Sequence, residues 1–194
     1  MKVLAINGSA RLDGNTAALL RVAMGECEAA GVETELVQLA GQAVRGCTGC
    51  GACAKLKNQR CNMTDDVAND VMQKIFDADG ILVGTPTYYA NATPEILGLM
   101  ARACMVGGNN GDLLRRKVGA AVVAVRRAGA VPAFDAINHF FFISEMVVPG
   151  SSYWNLGVGR RKDEVNQDAE GLETMRNLGR NMAWLLGQLH ARKE

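Results

Sequence analysis

Short β-branched apolar runs alternate with longer stretches of helical periodicity along this chain, and that alternation constrains the fold more than any other feature. A short, continuously apolar run suits a strand buried on both faces, and a helix between two such runs is long enough to carry the chain back for parallel pairing. The expected strands are Lys2–Ile6, Glu33–Leu39, Gly80–Gly84, Lys117–Val125 and Glu145–Val148. The expected helices are Thr16–Ala30, Asp66–Ala78, Pro94–Met105, Pro132–Ser144 and Ala169–His190. Five strands in this rhythm predict an α/β fold, a doubly wound five-stranded parallel sheet of order 2-1-3-4-5 with helices on both faces. With no repeat or linker-like composition, the 194 residues read as one domain, 1–194. Two stretches break the rhythm, a cysteine-rich insertion at about 41–63 and a Gly/Ser/charged segment at 150–168. Irregular segments at strand ends are where such folds usually carry function.

Charge narrows the partners. Acids and bases are interspersed and sum to +1, so the basic stripe that a nucleic-acid groove requires is missing. The opening apolar run is too short for a signal peptide, and no stretch approaches a membrane span, so a cytoplasmic protein with no membrane partner is expected. Four of the six cysteines fall within fifteen residues. In a reducing compartment such crowding points to metal or redox chemistry rather than a disulfide framework.

Directly after the first strand stands Asn7-Gly8-Ser9-Ala10-Arg11-Leu12-Asp13-Gly14-Asn15-Thr16, which opens into an apolar helix. A strand, a loop of small polar residues and a helix start together offer unpaired N–H groups and a positive dipole end to an anion. Ser9 and Thr16 can add hydroxyls, Asn15 an amide and Arg11 a charge-assisted pair to a phosphate. The Walker spacing and the G-x-G-x-x-G fingerprint are both absent, which disfavours an NTPase or dinucleotide site and leaves a monophosphate. On the loop alone, the plainer reading, that these residues merely cap the helix, stands beside it.

After the third strand comes Thr85-Pro86-Thr87-Tyr88-Tyr89-Ala90-Asn91-Ala92-Thr93-Pro94. An aromatic pair at a strand's carboxyl end can pack on a flat ring while nearby N–H groups bond its polar edge, although either tyrosine alone could equally cover a sheet edge or an interface. In order and position, G-S-x-R-x-x-G-N-T and this aromatic loop resemble the FMN-phosphate and ring loops of the NADPH-dependent FMN reductases and iron-sulfur flavoproteins, a flavodoxin-like family. Relatives usually carry Pro where this chain has Ala10. The resemblance implies FMN bound by Ser9, Arg11, Asn15, Thr16, Pro86, Thr87, Tyr88, Tyr89 and Asn91. A third loop, Ala124 to Ala130, lacks the Gly-rich stretch of relatives, and Arg126 or Arg127 could set a positive charge beside the reduced flavin or simply face solvent.

Cys47-Thr48-Gly49-Cys50-Gly51-Ala52-Cys53, followed by Cys61, forms a compact C-x2-C-x2-C run with a fourth cysteine. Such a run can wrap a cubane 4Fe-4S cluster, with Gly49 and Gly51 allowing close backbone approach. Zinc, which prefers two separated pairs, and free or paired thiols remain alternatives. The motif resembles that of iron-sulfur flavoproteins, which implies Cys47, Cys50, Cys53 and Cys61 as ligands and electrons passing between cluster and FMN, with the cluster near a neighbouring subunit's flavin. Lys55, Lys57 and Arg60 could offset the cluster's negative charge or dock an acidic donor, or be ordinary solvated residues. Cys27 and Cys104 read as small core residues, and His139 and His190 invite no catalytic role.

The combined expectation is an FMN-dependent oxidoreductase whose chemistry is carried by the flavin, with no catalytic side chain. Its partner would be a small carrier such as ferredoxin, and the resemblance implies a homodimer or homotetramer. The alternatives are an NAD(P)H-dependent FMN or quinone reductase without a cluster, with NAD(P)H as co-substrate, and a non-enzymatic zinc- or thiol-containing regulatory module.

Overall fold

A computed structural model describes residues 1–191. Its five strands are β1 (Lys2–Asn7), β2 (Glu33–Gln38), β3 (Gly80–Pro86), β4 (Val118–Val125) and β5 (Leu156–Val158), all parallel and ordered β2-β1-β3-β4-β5. The helices are α1 (Asn15–Ala29), α2 (Ala52–Leu56), α3 (Ala68–Asp77), α4 (Pro94–Gly108), α5 (Ala130–Ile143) and α6 (Ala169–His190). This is the flavodoxin-like topology that the alternation predicts.

The strand period of two sorts the core into two layers. Leu4, Ile6, Ile81 and Val83 face α3, α4 and α5, whereas Val3, Ala5 and Leu82 face α1 and α6. These side chains are fully buried, each worth about 1.5–3 kcal/mol for the larger ones relative to exposure. Glycines permit the closest helix approaches: a Cβ on Gly179 of α6 would sit 2.3 Å from the Ala23 carbonyl oxygen of α1.

The edge strand departs from expectation. Glu145–Val148 forms no continuous strand; Val147 makes only an isolated parallel bridge to Val118, and the paired edge is Leu156–Val158. The chain starts along β4, leaves it at residues 149–154, and returns where Asn155 donates to the Ala121 carbonyl at 3.0 Å and Val123 N–H donates to the Asn155 carbonyl at 2.9 Å. The excursion carries Pro149 and Gly150, which interrupt pairing, so the apolar run Met146-Val147-Val148 gives only the first contact of an interrupted edge. Asp168 then fastens the edge to the last helix, accepting from Val158 N–H at 2.7 Å and from Gly171 N–H at 3.0 Å as the α6 cap.

Candidate functional site

The carboxyl ends of β1, β3 and β4 open on a cleft of about 220 Å³. Ser9, Arg11, Asn15, Thr16, Pro86, Thr87, Tyr88 and Arg126 line it, joined by Gly159 and Arg160 just past β5. Two expected contributors stand apart. Tyr89 is fully exposed and Asn91 pairs with Tyr88 across a tight turn, the two backbones exchanging hydrogen bonds of 2.9 Å each. Tyr89 and Ala90 at the tip have φ of 48° and 60°, so this turn points the second tyrosine to solvent instead of into the cleft.

The first loop is braced from within and from its neighbour. Asn7, fully buried at the end of β1, accepts from Ser9 N–H at 3.0 Å and donates to Gln38 Oε1 at 2.6 Å. Ser9 Oγ accepts from Arg11 N–H at 3.1 Å. Gly8 N–H donates to the Gly84 carbonyl at 2.8 Å, and the Thr93 hydroxyl donates to the Gly8 carbonyl at 3.0 Å. Thr93 N–H in turn donates to Thr85 Oγ1 at 3.0 Å. The loops after β1 and β3 therefore form one unit.

The capping alternative fails on geometry. Gly14 occupies the N-cap of α1, and no side chain caps that helix, so its first-turn N–H groups keep their capacity for an anion. Asn15 has a different task from the one expected: its Nδ2 donates to the carbonyls of Gly159 and Arg161, both at 2.9 Å, and so ties the post-β5 segment over the helix start. Those two acceptors fix the amide orientation, and its buried Oδ1 is left without a partner among the described residues. An uncapped helix start, hydroxyls and an unpaired buried acceptor beside one cleft fit a phosphate carrying a polyhydroxyl chain. Asn7, Thr93, Gly159 and Arg160 were not read from the sequence; the only available signal was the run of small polar residues flanking the strand ends.

The second locus is a smaller cavity lined by Cys47, Cys50, Cys53 and Cys61, with Arg102, Met105 and Val106 of α4 as its base. All six cysteines of the chain are free thiols. Cys53 lies against the Met105 carbonyl at 3.8 Å, while Cys61 is held through its backbone by Asn69, which accepts its N–H at 2.8 Å and donates to its carbonyl at 3.0 Å. The backbone N–H of Ala52 and then the Thr48 hydroxyl, both hydrogen-bonded to the Cys50 sulfur, pull that thiol below its ordinary pKa. Burial pushes the Cys27 thiol up to about 11, as befits a core residue, and raises that of Cys104, which is only partly buried at the core's edge. Gly49 and Gly51 have φ of 67° and 70° with open space where a Cβ would be, so they serve the turns of the loop itself. Lys57 donates to the Asn109 carbonyl at 2.6 Å and Arg60 pairs with Asp70 at 3.4 Å.

Among the described residues, no three His, Cys, Asp or Glu side chains gather tightly enough to hold a single metal ion. A cubane cluster asks for something else, one thiolate per iron around a wider ring. Four thiols on one cavity supply that donor set in number and kind.

Residues 1–160 match the family model of the NADPH-dependent FMN reductases. An iron-sulfur flavoprotein of Methanocaldococcus jannaschii is 37% identical over 94% of this chain and 96% of its own length. One from Methanosarcina thermophila is 28% identical, covering 96% of this chain and 95% of its own. Among solved structures, RosB with a bound 8-demethyl-8-formylriboflavin-5'-phosphate intermediate superposes with a TM-score of 0.79 at 21% identity, covering all of this chain and 82% of its own. No helix among the described residues is long and apolar enough to cross a membrane. A match over most of the length, on a sheet of this order, makes the chain a flavin-dependent oxidoreductase of the NADPH-dependent FMN reductase family, among its iron-sulfur flavoproteins.

Proposed function

We propose that this chain is an electron-transfer flavoprotein that holds FMN in the cleft and a 4Fe-4S cluster on Cys47, Cys50, Cys53 and Cys61. The observation that carries the reading is the sharing of one cavity by these four thiols, against the same helix, α4, whose start is fastened to the loop after β1. Bound FMN supplies one- and two-electron chemistry, and a cluster supplies single electrons. The protein's part is orientation and electrostatics. The α1 start and the Ser9 and Thr16 hydroxyls would bind the phosphate. Pro86, Thr87 and Tyr88 would position the ring, and Arg126 and Arg160 border the cleft where negative charge must be balanced. A small carrier such as reduced ferredoxin is the proposed donor, and the proposed assembly is a homo-oligomer.

Anaerobic purification followed by an absorption spectrum and FMN, iron and sulfide assays tests this. The expected result is yellow-brown protein with FMN, iron and acid-labile sulfide, and Cys50→Ser should remove the broad cluster absorbance yet retain FMN. Colourless protein indifferent to added FMN would refute the whole reading.

A second reading, an NAD(P)H-dependent FMN or quinone reductase without a cluster, is favoured by the exposure of Cys47 and Cys50. It requires rapid bleaching of the flavin by NADPH in protein that carries no iron.

A further inference from the structure

Below the cysteine cavity lies a buried ion pair that flavin binding does not use. Arg102 of α4 is 1% exposed in a helix whose neighbours at Leu99, Met100, Ala103 and Val106 are apolar core. Its Nη1 donates to Asp66 Oδ2 at 2.5 Å and to the Arg45 carbonyl at 3.3 Å, and Nη2 donates to the Met63 carbonyl at 3.0 Å. These bonds clamp both flanks of the cysteine segment, Arg45 before Cys47 and Met63 after Cys61. Its Nε–H, by contrast, is buried and has no hydrogen-bond partner among the described residues, although the side chain borders the cavity walled by the four thiols. A buried, charged donor left over at the wall of a cavity of sulfurs is a group waiting for an acceptor.

We propose that Arg102 is the positioning residue of the cysteine centre: its spare Nε–H serves a sulfur of the group held there, keeping Cys61 in place as a ligand and raising the reduction potential of the bound centre. The inference rests on the cluster reading above and goes beyond it. Adding an electron to a thiolate-bound cluster puts negative charge on its sulfurs, and an N–H aimed at them stabilises that more negative state. The full charge of Arg102 is already balanced by Asp66, so the lever is the directed hydrogen bond and not the positive charge as such. Asn69 provides the complementary restraint on Cys61 by holding its backbone from α3.

Two variants separate this role from simple clamping. Arg102→Lys keeps a cation opposite Asp66 but has no Nε–H at that position. Arg102→Gln combined with Asp66→Asn removes both charges and leaves a neutral, hydrogen-bonding pair that avoids a stranded buried ion. Each is purified anaerobically as the loaded protein and assayed for FMN, iron and sulfide, thermal unfolding, and cluster midpoint potential by an EPR-monitored redox titration. Both variants should show a potential more negative than that of the unmodified protein, with FMN content retained. Iron lost from a variant that keeps its FMN and its unfolding midpoint is the other supporting result. An unchanged potential in both, or iron lost only together with FMN and folding, would overturn the proposal and leave the cluster reading standing. Unmodified protein with FMN and no iron would overturn both.

Discussion

The Asp66–Arg102 pair makes a quantitative test of what holds the cysteine segment against the sheet. Both side chains are fully buried, and Asp66 also accepts from the N–H of Arg45 at 2.9 Å and of Ala68 at 3.1 Å. Asp66→Ala would strand the guanidinium in the interior, a change that costs about 3–5 kcal/mol when a buried pair is broken from one side. For a chain of 194 residues, 1 kcal/mol lowers Tm by about 2–4 °C, so the expected loss is about 6–20 °C. The adjacent Asp65 offers an internal control, because its ion pair with Arg45 is more than half exposed on both sides and is worth at most about 1 kcal/mol. Thermal unfolding followed by circular dichroism should therefore separate Asp66→Ala sharply from Asp65→Ala. Equal midpoints would refute the assignment of the buried pair as the anchor. Acid should act in the same direction. Burial works against the Asp66 carboxylate, but the Arg45 N–H and the Arg102 guanidinium outweigh it and hold the pKa below the ordinary value. Its contribution is thus complete above the unfolded-state carboxylate pKa and disappears as pH falls through the folded one.

Three further outcomes test the flavin cleft. In Gly8→Ala the new Cβ would sit 2.2 Å from Ile96 Cγ1, with Ile96 fully buried, so destabilisation by about 1–3 kcal/mol in urea unfolding and weaker FMN binding are expected; unchanged stability would show that α4 can shift away from the loop. Asn15→Ala removes two hydrogen bonds to the segment after β5, about 0.5–1.5 kcal/mol each, and should raise the FMN Kd by about 5- to 150-fold in titration calorimetry; an unchanged Kd would mean that this segment takes no part in binding. The Arg21 guanidinium, then Lys162, hold the Asp13 carboxyl down to about 2, so its tether on the loop after β1 is intact above the ordinary carboxylate pKa and is lost only as pH falls through about 2; an NMR titration midpoint near the ordinary 3.8 would refute it.

The sheet was readable because β1, β3 and β4 are buried on both faces and so are continuously apolar, a pattern that needs no knowledge of tertiary neighbours. β5 was not. As an edge strand of three residues it has little composition of its own, and the stronger signal at Met146–Val148 belongs to the first touch of an interrupted edge. The two loops of the cleft were legible from small polar residues at a strand end, but not the use each side chain would find. Asn15 spends its amide on carbonyls more than a hundred residues away, and Tyr89 is turned outward by a left-handed backbone that neither Tyr89 nor Ala90 announces. Arg102 carried a signal that went unread: a lone cation in the apolar run from Ile96 to Val106 is either paired or misplaced.

Helix α4 connects these facts. Near its start, Ile96 packs under Gly8 of the loop after β1, and Thr93 bonds that glycine's carbonyl. Two residues on, Gly98 lies against the backbone of Arg45 and Gly46, where a Cβ would be 3.3 Å from main-chain atoms on the approach to the first cysteine. Arg102 then clamps both flanks of the cysteine segment, and Met105 and Val106 complete the cavity wall. At about 1.5 Å per residue, Ile96 and Met105 are about 13–14 Å apart along the axis. A single rigid element thus fixes how far the cysteine cavity stands from the loop after β1. Loosening the cysteine segment changes that spacing only if α4 itself moves, and this is why a disturbance at Asp66 should lower stability before it alters FMN affinity, whereas one at Gly8, which displaces α4 at its start, should alter both.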